Sequence, residues 1–514
     1  MKHFFTLILL AGLATLIYGQ SGNQPMRLEL DARPNTEPFE IIPLARHGLL
    51  VLLKTNETED RENRRWVLAL YNTQLELQWE LIQPVLRNLE YRAYALGKNE
   101  ISLLFYDHRS SSEPNFQIVS INLSSKQVQL AGNIIDRRYE LATFTRSGKF
   151  VIIGMNSKDD SKAYRFNTGN GEINTLELNP EAGRYIENIQ TDTVSGALIV
   201  LTSMRNERRR NGLYLQRFDE NGSQQNTTAL MKNENRKMTT SAQFVPLGGN
   251  SFMVLGAYTS NPGRRAATGS DLAGNRSGGF YRVYSSNGSQ SLQVDFFRFS
   301  DFSNLESYIR GTAAEQRSRS RGGWFQRSGS QNPEYYMTIH RIKQFDEGFL
   351  ISGEAFTPDF RTVTTIAYDY YGRPVPRSYS VFDGYRYSHA VVAAFDKQGR
   401  LLWDNGMEMI NIRTFDLNPK LVLFPDEAGV AMAYNHDGKI AWKQINGMQT
   451  ITGISYANIE TRYSRDRVNS EQSSRLFHWY GHYFLAAGYQ TIINNYLPDQ
   501  TRRNVFYISK IAFD

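Results

Sequence analysis

Two histidines, His478 and His482, have the spacing in this chain that most resembles a metal site. Four residues apart on a helix, they would share one face and could bind a metal ion together. The surrounding residues, FHWYGHYF, have the pattern of a strand and turn instead. On a strand, residues four apart lie about 13 Å from each other. We therefore predict structural histidines, no bound metal and no cofactor.

Carboxylates offer a second chemistry. Cleavage of a glycosidic bond needs two of them about 5 to 10 Å apart, and the chain has 51 acidic residues whose convergence the sequence does not show. Stretches such as FDENG (218–222) and YNHDG (434–438) lack the spaced acidic ligands of a calcium loop. Polysaccharide binding or cleavage by an acid pair in a central cleft stays open as the alternative function.

Tyrosine and arginine interleave in YDYYGRPVPRSYSVFDGYRYSH (368–389), within a long segment from about residue 300 to residue 388. Both side chains combine a broad packing surface with a polar tip, as contact surfaces favour. The pattern predicts a binding surface, and the alternative is hairpin packing of the tyrosines. The predicted binding residues are Tyr370, Tyr371, Arg373, Arg377, Tyr385, Arg386 and Tyr387.

A repeated hairpin must position these residues. HAVVAAFDKQGRLLWDN (389–405), LYLQRFDENGSQ (from 213), YRVYSSNGSQ (from 281) and VAMAYNHDGKIAW (from 430) each join two alternating strands through a polar turn, usually with Gly. Alternation with period two indicates half-buried strands, and Gly supplies the positive φ of a tight turn. The residues assigned to this repeat are Asp219, Gly222, Gly288, Asp396, Gly399, Trp403, Gly438 and Trp442.

A short apolar run usually precedes these hairpins and recurs about every 50 residues, with one gap near 100. This interval is typical of the blades of a β-propeller. The chain is thus predicted to be all-β: a single propeller of seven or eight four-stranded blades over residues 21–514. Long loop insertions are expected, including one at about 300–388 between the fifth and sixth blades. Paired β-sandwiches or a β-solenoid would share the alternation.

The repeat at 394–403 resembles that of quinoprotein-type propellers, Ala-x-Asp-x-x-x-Gly-x-x-x-Trp, through Ala394, Asp396, Gly399 and Trp403, with one residue fewer between Asp and Gly. Residues 430–442 match the same pattern more weakly. Enzymes of that family use a quinone, carry a tryptophan in nearly every blade, and many have a vicinal disulfide. This chain has six tryptophans and no cysteine. The resemblance therefore implies the non-enzymatic branch, which includes bacterial outer-membrane assembly scaffolds.

The first twenty residues, MKHFFTLILLAGLATLIYGQ, are predicted to be a secretory signal peptide because a basic start precedes an apolar run too short to span a bilayer. A signal peptide in a chain without cysteine favours a bacterial envelope over an animal extracellular space. We expect a periplasmic, extracellular or outer-membrane-associated protein, with no transmembrane segment after cleavage.

The sequence hypothesis is an exported bacterial propeller that acts as a protein-binding scaffold in an envelope assembly, without catalysis. Its expected partners are envelope proteins, including outer-membrane proteins. The net charge of +7 also admits an anionic glycan or lipopolysaccharide. Nucleic acid is not expected, since the chain is exported.

Overall fold

The computed structural model describes residues 26–32, 38–107, 115–133, 136–206, 210–232, 237–248, 250–260, 276–286, 292–305, 334–345, 348–415, 417–496 and 501–512. Within these ranges the regular structure is β-strand, with three single 3-10 turns at Ala45–His47, Pro180–Ala182 and Phe299–Asp301. None of the helical turns in these ranges has the length and hydropathy that crossing a membrane requires. The predicted signal peptide lies outside the described residues.

The described strands form eight antiparallel sheets, which we call blades 1 to 8 in chain order. Blade 1 is β2 (Phe39–Pro43), β3 (Leu49–Thr58), β4 (Asn63–Tyr71) and β5 (Leu77–Leu86). Blade 2 is β6 (Glu90–Leu96), β7 (Glu100–Tyr106), β8 (Phe116–Asn122) and β9 (Val128–Asn133). Blade 3 is β10 (Glu140–Ser147), β11 (Phe150–Asn156), β12 (Ser161–Asn167) and β13 (Ile173–Leu176). Blade 4 is β14 (Tyr185–Thr191), β15 (Leu198–Asn206), β16 (Arg210–Phe218) and β17 (Gln224–Lys232).

The second half of the chain forms the other four blades. Blade 5 is β18 (Met238–Thr239), β19 (Gln243–Gly248), β20 (Ser251–Thr259), β22 (Gly279–Ser285) and β23 (Leu292–Arg298). Blade 6 is β21 (Arg276–Ser277), β24 (Tyr335–Ile339), β25 (Lys343–Phe345), β26 (Gly348–Tyr368), β27 (Pro374–Asp396), β28 (Leu401–Glu408) and β29 (Arg413–Thr414). Blade 7 is β30 (Val422–Asp426), β31 (Gly429–His436), β32 (Lys439–Asn446) and β33 (Gln449–Asn458). Blade 8 is β34 (Arg467–Tyr480), β35 (Tyr483–Ile493), β36 (Arg502–Ala512) and the N-terminal β1 (Arg27–Asp31).

The hydrophobic core lies between the blades rather than inside any of them. Eight apolar clusters occur among the described residues, and each joins one blade to the next: Trp66 of blade 1 packs with Phe105 of blade 2, and Leu476 of blade 8 packs with Ala433 of blade 7. The eighth cluster joins blade 8 to blade 1 through Phe506 and Phe39, whose rings stack at 4.7 Å. The blades therefore form a closed ring, because each one buries both faces against its neighbours.

The N-terminal strand closes the ring. β1 pairs with the C-terminal strand β36, with Arg27 opposite Ser509 and Asp31 opposite Val505. This pairing completes the last blade, blade 8. Buried charges support it: the Arg503 guanidinium contacts Glu29 of β1 at 3.1 Å and also Asp466. The predicted all-β propeller of four-stranded blades is confirmed. Six of the eight sheets have four strands, blade 5 has five because β18 and β19 both pair with β20, and blade 6 has seven.

The repeat residues occupy the turns and interfaces of this ring. Asp219 and Asp396 begin turns in which their Oδ1 atoms accept hydrogen bonds from the backbone N–H groups two and four residues on, at 2.7 to 2.9 Å. The glycine of each turn, Gly222 or Gly399, donates its N–H to the carbonyl of that aspartate. Gly438 lies in the turn between β31 and β32, and Gly288 lies outside the described residues.

The two repeat tryptophans lie between blades. Trp403 of β28 packs on the cluster between blades 6 and 7, where its ring meets Phe345 edge-on at 6.2 Å. Trp442 of β32 packs on the cluster between blades 7 and 8.

Candidate functional site

Blade 6 carries a two-stranded extension that projects from the ring, and we call residues 357–386 the ribbon. β26 and β27 pair from Gly348–Asp396 out to Tyr368–Pro374, with register shifts at Ala355/Phe356 and Pro358/Phe360 and a regular register from Phe360 to the tip. Their inner halves are buried core strands, whereas nearly every residue from Phe360 to Ser380 is exposed. Tyr368 lies ten residues beyond Pro358, which corresponds to about 33 Å of strand.

The ribbon tip repeats the turn design of the blade hairpins. Asp369 Oδ1 accepts from the backbone N–H groups of Tyr371 at 2.9 Å and Arg373 at 2.8 Å. The N–H of Gly372, at φ +72°, donates to the Asp369 carbonyl. This local network fixes the tip and holds the two tyrosines of the turn outward.

Large apolar side chains are exposed along the ribbon. Alternation places Phe360, Ile366, Tyr368 and Phe382 on one face, and Val363, Val375 and Tyr379 on the other. The exposed fractions reach 67% at Ile366, 73% at Tyr368, 78% at Tyr371 and 97% at Tyr370. Exposed apolar surface of this extent on one projecting element is what interaction sites present.

The ribbon is anchored to the ring by an aromatic series and by ion pairs. Buried Phe356 meets Tyr385 edge-on at 5.6 Å, Tyr385 meets Phe382 at 4.9 Å, and Phe382 meets Phe360 at 5.8 Å. Arg413 of β29 bridges the two strands, at 2.7 Å from Asp383 and 2.9 Å from Asp359. The base of the ribbon is therefore fixed to the ring, while the outer two-thirds of the ribbon lies in solvent.

The structure brings most of the predicted binding residues together. Tyr370, Tyr371, Arg373 and Arg377 lie at or beside the tip, and the Arg373 guanidinium lies 5.7 Å from the centre of the Tyr371 ring. Tyr385 and Arg386 lie at the base, where they pair with Thr414 and Arg413 of β29.

The prediction that Tyr387 belongs to the binding surface is wrong. It is 2% exposed, packs in the core between blades 6 and 7, and donates its hydroxyl to the Asn418 carbonyl at 2.9 Å. The strand has by then entered the ring, so a partner could not reach this side chain. Of the predicted segment 300–388, residues 334–345 and 348–388 belong mainly to strands of blade 6, and 306–333 lie outside the described residues.

Sequence reasoning missed Phe360, Ile366, Tyr368 and Phe382. The even spacing of Phe360, Ile366 and Tyr368 was readable from the sequence, but it indicates only that they share one face of a strand. It does not show that a neighbouring blade fails to cover that face. The available signal was the run of β-branched residues from Thr362 to Ile366, which leads into the tyrosine-rich turn at 368–371.

Two carboxylates on first strands of blades are held in contacts between neighbouring blades. The first strands of neighbouring blades, such as β6 with β10 and β30 with β34, contact each other and so surround the axis. On such strands Glu40 pairs with Arg475 and Glu90 with Lys54. Such pairing braces adjacent blades.

The most buried carboxylate, Glu354, connects blade 6 to the segment before blade 7. Its Oε1 accepts from the backbone N–H groups of Lys420 at 2.8 Å and Leu421 at 2.5 Å, and lies 2.8 Å from His340 Nε2. The side chain is fully buried. These contacts describe a brace between blades.

Among the described residues, no group of three or more histidine and acidic side chains is arranged to bind a metal ion. A cavity of about 260 Å³ lies between blades 5 and 6, lined by Thr240, Ser241 and residues 337–339, with Leu417. Its lining has hydroxyl and apolar groups and no charged side chain.

No protein-family model matches this sequence, and the search of curated proteins found no match. Among solved structures, the chain is similar to a structure from a study of two prolyl endopeptidases, at 8% identity and a TM-score of 0.36, over 90% of this chain and 54% of that one. It is similar to the Dos1 propeller at 11% identity and a TM-score of 0.40, over 83% and 85% of the two chains. It is also similar to the periplasmic gluconolactonase PpgL of Pseudomonas aeruginosa at 8% identity and a TM-score of 0.34, over 80% and 99%.

The chain thus spans about half of the endopeptidase chain and most of the other two. At such identities and TM-scores these similarities say nothing about activity or partners. The class of protein, a β-propeller, follows from the chain's own closed ring of blades.

Proposed function

We propose that this chain is an exported bacterial propeller that binds another protein through its ribbon and serves as a scaffold in an envelope assembly. The observation that carries the proposal is the exposed aromatic tip of an anchored element: Tyr370 and Tyr371 are 97% and 78% exposed on a turn fixed by Asp369. A fixed element loses little conformational entropy on binding, which favours affinity.

The charge of the ribbon favours a protein partner over an anionic polymer. Four arginines (361, 373, 377 and 386) and three aspartates (359, 369 and 383) give residues 357–386 a net charge of +1. Binding to lipopolysaccharide phosphates or acidic glycans would call for clustered unpaired cations. Aromatic side chains with a few arginines are instead what the centre of a protein interface contains.

Export is part of the proposal and rests on the apolar run at residues 4–17. Signal peptidase is expected to cleave near Gly19 or Gln20. N-terminal sequencing of the protein from the host's envelope fraction should therefore begin close to Ser21. Recovery from the cytoplasm with an intact first residue would contradict export.

The binding test compares two sets of exposed residues by cross-linking the tagged protein in its native host. The ribbon variant carries Ile366→Ser, Tyr370→Ser and Tyr371→Ser. The matched control carries Tyr456→Ser and Tyr496→Ser, which replace tyrosines that are 54% and 70% exposed on blades 7 and 8. We expect one stoichiometric envelope protein with the wild type and the control, and at least about a tenfold loss with the ribbon variant.

Equal recovery of the partner with both variants would refute the ribbon as the binding element. Absence of any protein partner, together with retention on an acidic polysaccharide column that the ribbon variant leaves unchanged, would favour the glycan alternative. Both variants should melt within about 2 °C of the wild type, since exposed substitutions rarely change stability.

A further inference from the structure

The outer edge of β26 is open for strand pairing, whereas the outer edge of β27 is protected. On the β26 side, pairing with β24 ends at Phe356, and no strand in the described ranges pairs with the outer edge of 357–368. On the β27 side, β29 pairs as far as Tyr385, and beyond it the strand contains Pro374 and Pro376.

The tip fixes which backbone groups point outward. The Asp369 N–H donates to the Arg373 carbonyl inside the ribbon at 3.0 Å. Opposed residues of an antiparallel pair alternate between bonding each other and pointing their N–H and C=O groups away. Pro374 and Pro376 therefore lie at outward positions, where the missing N–H removes donors from that edge only.

By the same alternation, the outward positions on β26 are Thr362, Thr364, Ile366 and Tyr368. None is a proline, and Arg361 is the single charged residue from Phe360 to Tyr368. Proline, charge or a covering segment is how natural proteins protect an edge strand. Within the part of the chain that the structure describes, β26 has a row of outward backbone groups without these protections.

We propose that this edge pairs antiparallel with the same edge of a second copy of the chain, so that two ribbons form one four-stranded sheet. An antiparallel pairing of identical strands has twofold symmetry, which closed dimers use most often. This inference rests on the proposed function of the ribbon as a binding element. It assigns the edge of β26 to a second copy of the chain, and the two faces of the ribbon stay available to the envelope protein.

Charge selects the register of this pairing. With Thr365 on the twofold axis, Thr364 opposes Ile366 and Arg361 of each copy opposes Asp369 of the other, which forms two ion pairs. Moving the axis to Thr364 would instead place Asp359 opposite Asp369 twice. Arg361 can rotate toward a partner because its side chain is 66% exposed and its contact with Asp383 is long, at 3.7 Å.

Two proline variants test the edge. Thr364 and Ser378 lie opposite each other on the ribbon, and their hydroxyls are 2.9 Å apart. Thr364→Pro and Ser378→Pro each remove that hydroxyl contact and each lose one outward N–H, but on opposite edges. In sedimentation equilibrium of the full chain we expect Thr364→Pro to lower the association constant at least about tenfold and Ser378→Pro to leave it within about twofold.

A single cysteine tests the register independently, because the chain has no cysteine of its own. In the proposed register the two Thr365 Cα atoms are about 4.5 Å apart, within disulfide range. Thr365→Cys should therefore form a covalent dimer on mild oxidation. Thr362→Cys is the control, since its two copies would be about 20 Å apart.

A wild-type chain that stays monomeric at its highest soluble concentration overturns the proposal, as does a dimer that both prolines weaken equally. Cross-linking of Thr362→Cys in preference to Thr365→Cys overturns the register. A monomer that still captures its envelope partner would refute the edge pairing alone. A dimer that captures none would refute the proposed scaffold function alone.

Discussion

Gly399 faces Arg282 across the interface between blades 6 and 5, so closely that a Cβ on Gly399 would lie 2.8 Å from Arg282 Cδ. Arg282 donates from Nη1 to the Gln398 carbonyl at 2.5 Å, which holds it against this turn. Gly372 at the ribbon tip has nearly the same φ, +72° against +75°, but has no heavy atom within 4 Å of its Cβ position.

Alanine substitutions at Gly372 and Gly399 separate the cost of backbone strain from the cost of crowding. Gly372→Ala should lower the free energy of unfolding by about 1 kcal/mol, the penalty of the left-handed region alone. Gly399→Ala adds overpacking against Arg282 and should lower it by about 2 to 4 kcal/mol. The measurement is the midpoint of urea unfolding for both variants; equal shifts would contradict the role of the interface.

Tyr387 and Tyr370 should respond differently to truncation, although they share the ribbon strands. Tyr387→Ala removes a ring from the core between blades 6 and 7 and should reduce stability by about 3 to 5 kcal/mol. Tyr370→Ala, at a 97% exposed site, should stay within about 0.5 kcal/mol. Thermal melting distinguishes the two, and a Tyr387→Ala protein as stable as the wild type would contradict the packing role of this ring.

His389 should make stability depend on pH in a defined window. Burial lowers its pKa to about 4, its Nδ1 lies 3.0 Å from the Ser388 hydroxyl, and its ring meets that of Tyr335 edge-on. The unfolded chain binds a proton near pH 6.5, so the folded state holds its full advantage above that pH and loses it as pH falls toward 4. The loss should reach about 3 kcal/mol.

Urea unfolding at pH 7.5, 5.5 and 4.5 measures this effect. His389→Phe should flatten the stability profile between pH 6.5 and 4 relative to wild type, whereas His482→Phe at an exposed site should not. A profile unchanged by His389→Phe would assign the pH dependence to other groups.

The repeat could be predicted because its turns obey local chemistry. Asp396 and Gly399 form a turn whose hydrogen bonds span five residues, so the sequence alone indicates it. The same turn geometry occurs without a glycine in blade 1, in the hairpin between β4 and β5. There Leu75 adopts φ +62° and donates its N–H to the Asn72 carbonyl, while Asn72 Oδ1 accepts from Gln74 and Glu76 as an aspartate would.

The candidate site was harder to predict because exposure depends on distant segments. Tyr370 and Tyr387 both lie in tyrosine-rich sequence, and only the position at which β27 enters the ring separates an exposed ring from a buried one. Glu354 likewise has no sequence signal for burial, since its partners at Lys420 and Leu421 lie more than sixty residues away.

The pairing of β1 with β36 also determines when the protein can be complete during its synthesis. Ser509 is made 482 residues after Arg27, the residue it opposes, so β1 has no strand to pair with until β36 has emerged. Contacts so distant in sequence form slowly, because loop closure must precede them. A nascent chain with all its other blades formed would therefore remain an open ring with exposed strand edges, and a product truncated before β36 could never close.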